Sequence, residues 1–148
     1  RSRLENDITE VGYKYAMNNV NATIGNVQMK YVDKIIASYI ENGRYYDLAL
    51  SDIDGIHLVD YSAKTEASYW LYTMRVDDRD NFIKAMESAG ILASPLHHRS
   101  DTHSIFKESK RELPNMDRWY REFVHIPCGW WITEEVRTQI VEAIKKGW

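Results

Sequence analysis

"SYWLYTMRVDDRDNFIKAMESAG", residues 68–90, changes its period halfway along. Ser68 to Val76 is aromatic and apolar on both alternating faces, the pattern of a central strand buried on its two sides. Asp78 then stands where a helix needs an acceptor for its first free N–H groups. Phe82, Ile83, Met86 and Ala89 follow at helical spacing, and Gly90 supplies the glycine that commonly ends a helix. A buried strand running straight into an amphipathic helix predicts a sheet with helices laid against it.

On the N-terminal side, Met17, Val20, Ile24, Val27 and Tyr31 recur at spacings of three and four, one stripe of an amphipathic helix. The pattern continues less regularly through Ile35, Tyr39, Tyr46 and Leu50. Gly25 and Gly43 interrupt it, each costing about 1 kcal/mol relative to Ala inside a helix. The expectation is a long N-terminal helix that bends, or two helices in series, with each glycine marking a close approach of another backbone. Asp54-Gly55 is a turn signal, and Ile56 to Val59 fits a short strand.

On the C-terminal side, Ile91 to Ser94 reads as a strand, Pro114 to Phe123 as a short helix and Val124 to Ile126 as a short strand. Thr133 caps a last helix with Val136, Ile140 and Ile144 on one face. This order predicts one α+β domain over residues 1–148. Its form is a two-layer sandwich with helices on one face of a small, mostly antiparallel sheet.

Composition narrows the function classes. The chain has 148 residues, a net charge of −3 with both signs interspersed, and so no basic footprint for nucleic acid. No apolar run approaches the ~20 residues that span a membrane. The start carries no charged-then-apolar signal. The lone Cys128 excludes an internal disulfide and fits a reducing cytoplasm. It reads as a buried structural cysteine rather than a catalytic thiol. Five Trp and ten Tyr are more than a core of this size needs, so an interface or pocket is one place for some of the rings, with simple core filling the other reading for any one of them. Asn21-Ala22-Thr23 matches a glycosylation sequon but falls inside a predicted helix.

The densest polar cluster is "LHHRSDTHSIF", residues 96–106, holding His97, His98, Arg99, Asp101 and His103. Three readings stand side by side. Imidazole and carboxylate are metal ligands, although Arg99 sits among them and the spacing matches no standard ligand motif. A solvated loop with ordinary hydrogen-bonding histidines is the second. The third is a substrate-facing loop, since Arg and His together suit a phosphate or sugar. There is no phosphate loop, dinucleotide fingerprint or nucleophile elbow.

"VGYKYAMNNVNATIGNVQMKYVD", residues 11–33, resembles the start of the C-terminal region of the DegT/DnrJ/EryC1/StrS family, pyridoxal-phosphate-dependent aminotransferases of nucleotide-linked sugars. The family pattern is roughly Gly-Tyr-Asn-Tyr-Arg-Met, then Asn or Thr, then a helix with Ala-Ala-Ile-Gly and Gln-Leu. It appears here as Gly12-Tyr13-Lys14-Tyr15-Ala16-Met17, Asn18-Asn19, Ala22-Thr23-Ile24-Gly25 and Gln28-Met29. Residues 68–91 resemble the family's strand and Gly-Ile helix exit. His97 takes the place of its His-Tyr-Pro histidine. "FVHIPCGWWITEEVRTQIVEAI", residues 123–144, resembles its closing Leu-Pro and Thr-Glu-Glu helix.

The resemblance implies the small C-terminal domain of a fold-type-I transferase. The larger N-terminal part, with the cofactor-bearing lysine and most of the phosphate site, would be missing and the fragment inert. It implies pyridoxal phosphate as the whole enzyme's cofactor, an amino donor and a nucleotide-linked sugar as its substrates, and a homodimer. In the family the opening segment reaches a neighbouring subunit's site, its Asn on cofactor phosphate and its Arg near substrate. Lys14 replaces that Asn and keeps a charge for the phosphate, whereas Ala16 replaces the Arg and removes a donor. The implied contacts are therefore Lys14 toward cofactor and Tyr13, Tyr15, His97, His98 and Arg99 toward substrate. A sugar dehydratase on the same scaffold, or a non-catalytic interaction module, are the alternatives.

Overall fold

The computed structural model describes residues 7–61 and 65–148. Its elements are α1 (Asn19–Gln28), α2 (Val32–Ala49), β1 (Ile56–Leu58), β2 (Tyr72–Val76), α3 (Arg79–Ser88), α4 (Pro114–Glu122), β3 (Phe123–Ile126) and α5 (Glu134–Lys145). The fold is α+β. The sheet has the order β1-β2-β3 and is antiparallel throughout, so the strand predicted from residues 68–76 is the central one.

Register separates the two faces of the sheet, because paired residues in an antiparallel ladder point the same way. Ile56 pairs with Val76, Leu58 with Met74, Met74 with Val124, and Tyr72 with Ile126. These form the core face, against which Tyr46 and Leu50 of α2, Phe82 and Met86 of α3, and Ile140, Val141 and Ile144 of α5 are buried. The other face carries His57, Arg75 and Phe123 in one row and Thr73 with His125 in the next. There Arg75 Nη1 donates to Glu122 Oε2 of α4 at 2.5 Å.

Several local expectations hold. Asp78 and Thr133 accept from the backbone N–H groups of Asn81 and Val136, capping α3 and α5. Gly90 takes φ +74° just past α3. The N-terminal helix is two helices in series, breaking at Met29–Tyr31 rather than at either glycine.

Five details differ. Residues 91–94 do not form a strand: only Ser94 bridges His125, because Pro95 follows with no N–H to continue a ladder. Residues 68–71 lie outside β2, since Tyr69 adopts a left-handed φ of +48° that no strand accommodates. Gly25 has open space around it, so nothing among the described residues approaches it. Gly43 is approached by the Tyr69 ring rather than by a backbone. On α5, Val136 is partly exposed and Arg137 takes a buried place instead.

Helix α1 buries none of its residues, and Val20, Ile24 and Val27 of the predicted stripe face outward. No helix among the described residues is long and apolar enough to cross a membrane.

Candidate functional site

The second sheet face is where the polar loop comes down. Residues 97–101 and α4 wall a cleft of about 710 Å³ whose floor is Thr73, Phe123 and His125, with Trp70 at its rim. Trp70, Leu71 and His125 also line a second cleft of about 890 Å³, bounded by Ile91, Leu92, Val136 and Ile140. Trp70 is thus a ridge between two hollows, 66% exposed to solvent.

His125 is buried because β3 is covered on both faces. Its Nδ1 lies 2.9 Å from Thr73 Oγ1 on the neighbouring strand, while Nε2 has no partner. Burial, with His97 close by, holds its pKa down to about 4, so the ring is neutral at pH 7. The His97 ring packs edge-on against it at 5.3 Å between centroids, and Trp70 lies 6.1 Å from His97 on the other side. A series of rings thus runs from an exposed indole to a buried imidazole.

The loop's charges are largely satisfied within the loop. Arg99 donates through Nε and Nη2 to Asp101 at 2.8 and 2.5 Å, and through Nη1 to Asp117 of α4. The two carboxylates hold the guanidinium charged. His98 bonds Thr102 Oγ1 at 2.8 Å and lies 3.3 Å from the Tyr120 hydroxyl. His103 turns away: its Nδ1 accepts from Ile8 N–H, and the neighbouring Ser104 binds the Asp7 carboxylate. These bonds pin the N-terminal segment to the loop.

The sequence-derived site residues therefore fall into two groups. His97, His98 and Arg99 line the cleft. Tyr13, Lys14 and Tyr15 do not; they are exposed on an extended arm ahead of α1, the two tyrosine rings stacked 5.9 Å apart. The motif reading missed His125, Trp70 and Thr73. Position parity in the strand "FVHI" places His125 opposite the core-facing Val124 and Ile126, which is the signal that finds it.

Whether these residues suit pyridoxal phosphate can be tested on chemistry. The cofactor needs an amine to carry it and donors for its phosphate. No lysine lines the cleft with His97, and Arg99 is committed to its carboxylates. The described residues do not make a complete cofactor site. Among them no cluster of three His, Cys, Asp or Glu is placed to hold a metal.

Comparison with known proteins joins the fold to a family. The fold matches that of the sugar aminotransferase CalS13 from Micromonospora echinospora with a TM-score of 0.86 at 37% identity, covering 96% of this chain and 38% of that one. Among curated relatives, GDP-perosamine synthase of Vibrio cholerae is 25% identical over 91% of this chain and 38% of its own length. The corresponding enzyme of Caulobacter vibrioides is 30% identical over 60% of this chain and 25% of its own. The chain thus spans under two fifths of each of these three proteins. A three-stranded antiparallel sheet backed by helices matches the fold of a sugar aminotransferase, and the model of the DegT/DnrJ/EryC1/StrS aminotransferase family matches residues 1–145, which makes this chain a member of that family.

Proposed function

We propose that the chain is the small C-terminal domain of an aminotransferase that moves an amino group from an amino acid to a nucleotide-linked keto sugar. The observation that carries this reading is the family match over residues 1–145 together with 37% identity to a sugar aminotransferase of the same fold. Pyridoxal phosphate, when bound to the whole enzyme, supplies the electron sink for such chemistry. This chain's own contribution is binding and orientation. His97, His98 and Arg99 line a cleft for substrate, and Tyr13, Lys14 and Tyr15 form an arm offered outward.

Lys14 is the arm's phosphate contact, a point charge that lies in sequence between Tyr13 and Tyr15, whose rings stack on each other. The arm serves a second subunit, so the working form is a homodimer. The exposed Val20, Ile24 and Val27 of α1 support this, since an apolar stripe of that length is covered in an assembled protein. The single unpaired Cys128 supports a cytoplasmic setting.

The domain alone is inert in this reading. Adding pyridoxal phosphate and borohydride to the purified chain should give no stoichiometric adduct on any one lysine; such an adduct would overturn the assignment. In the assembled enzyme, Lys14→Ala should weaken cofactor retention, and an unchanged cofactor affinity would remove Lys14 from the site. Ile24→Asp should lower the oligomeric state seen by ultracentrifugation without unfolding the domain.

A further inference from the structure

Tyr69 is one of two non-glycine residues with positive φ among those described, and its conformation is held from three sides. Its ring occupies the space over Gly43, where an added Cβ would come 2.1 Å from its Cγ. Its hydroxyl donates to Asp47 Oδ2 at 2.5 Å, and its ring stacks on Tyr72 at 6.1 Å. Local strain of this kind persists only where surrounding contacts over-determine it, and it points to a functional demand nearby. The residue it presents is Trp70, an indole two-thirds exposed on the ridge between two clefts.

The surroundings of Trp70 define what it can receive. Arg99 is paired with both Asp101 and Asp117, so its charge is already met by carboxylates and draws a phosphate only weakly. The facing wall is Trp119 and Tyr120 of α4. The floor holds the neutral His125, whose buried Nε2 lacks a hydrogen-bond partner. Aromatic faces with neutral polar groups suit an uncharged ring that bears hydrogen-bonding edges.

Resting on the aminotransferase reading, we infer that Trp70 is a stacking platform for an uncharged ring of the nucleotide-linked sugar, either the base or the sugar. The phosphates lie outside this cleft. The Gly43–Tyr69–Asp47 contacts are positioning contacts that hold the indole out.

The test is calorimetric titration of the purified protein and its Trp70→Phe and Trp70→Leu variants. The probes are dTDP-glucose, UDP-glucose and GDP-mannose, their free nucleosides, methyl glucoside and inorganic pyrophosphate. Trp70→Leu should weaken the nucleotide-sugar that binds by tenfold or more, and Trp70→Phe should restore affinity to within about threefold. Pyrophosphate should be indifferent to both. A nucleoside or a glucoside that shows the same dependence identifies which ring stacks. Trp70→Gln replaces the leucine variant if that one fails to fold.

Nucleotide-sugar binding unchanged by Trp70→Leu overturns the platform and leaves the aminotransferase reading intact. Trp70-dependent binding of a nucleoside or glucoside, with no binding of any nucleotide-sugar, keeps the platform and overturns that reading. Binding by no probe, or pyrophosphate weakened as much as the sugars, overturns the platform.

Discussion

The Tyr69 ring lies over Gly43 so closely that a Cβ at position 43 would sit 2.1 Å from Tyr69 Cγ. A glycine in the middle of α2, unfavourable as local helix chemistry, is therefore explained by a contact 26 residues away in sequence. The same ring reaches Asp47 one turn further along α2, so helix and loop are joined at two points.

Gly43→Ala should destabilise the fold by about 1–3 kcal/mol, the usual range for overpacking a closed site, despite alanine's better helix propensity. Tyr69→Phe keeps the ring and removes one hydrogen bond to a carboxylate, and should cost about 1.5–3 kcal/mol. Denaturant unfolding of the three proteins checks both values. A Gly43→Ala variant more stable than the parent would mean that the ring moves aside freely.

His125 gives stability a pH dependence of definite sign. The free imidazole takes a proton near pH 6.5, whereas the folded chain resists it until about 4. Between those values the unfolded state binds more protons, so stability falls as pH drops from about 6.5 toward 4. The slope from this one group is at most about 1.4 kcal/mol per pH unit, and it is flat above 7. His125→Gln should flatten that limb relative to the parent when unfolding is followed from pH 7 to 4.5. Parallel curves for the two proteins would exclude His125 as its source.

Asn42 is buried, with Nδ2 donating to the carbonyls of Gly129 and Ile132 at 3.1 Å each and Oδ1 accepting from Arg137 Nη1. One amide thereby joins α2, the turn before α5 and α5 itself. Asn42→Leu should cost about 3 kcal/mol or more, because two carbonyls and a buried guanidinium lose partners together. Thermal unfolding of Asn42→Leu against the exposed control Asn26→Leu measures it. Equal midpoints would show that water replaces the amide.

Much of the layer architecture was legible in residues 68–90, because strand alternation, cap and terminal glycine agree locally. Caps at Asp78 and Thr133 and the burial of Cys128 were legible for the same reason. Asn42 and Arg137 were not, since they are polar residues whose burial depends on partners some 90 positions away. The α1 stripe was legible as a helix, yet its periodicity says only that a face is apolar and not that this chain covers it. For the cleft, the motif pointed to His97 through Arg99, but the use of Arg99 by Asp101 and Asp117 emerges only when α4 packs beside the loop.

Cys128 offers the least perturbing check on the fold. It is buried, its thiol donates to the Tyr39 carbonyl at 3.6 Å, and burial pushes its pKa up to about 12. Thiolate is the reactive form, so at pH 8 the native thiol is both shielded and protonated. Ellman's reagent should leave it essentially unmodified over the minutes in which a free thiol reacts, then label one equivalent once denaturant is added. The native labelling rate should rise in Gly43→Ala and Asn42→Leu as their stability falls, since opening of the fold is what exposes the sulfur. Rapid stoichiometric labelling of the native parent would contradict the packing of Tyr39 against the segment 127–132.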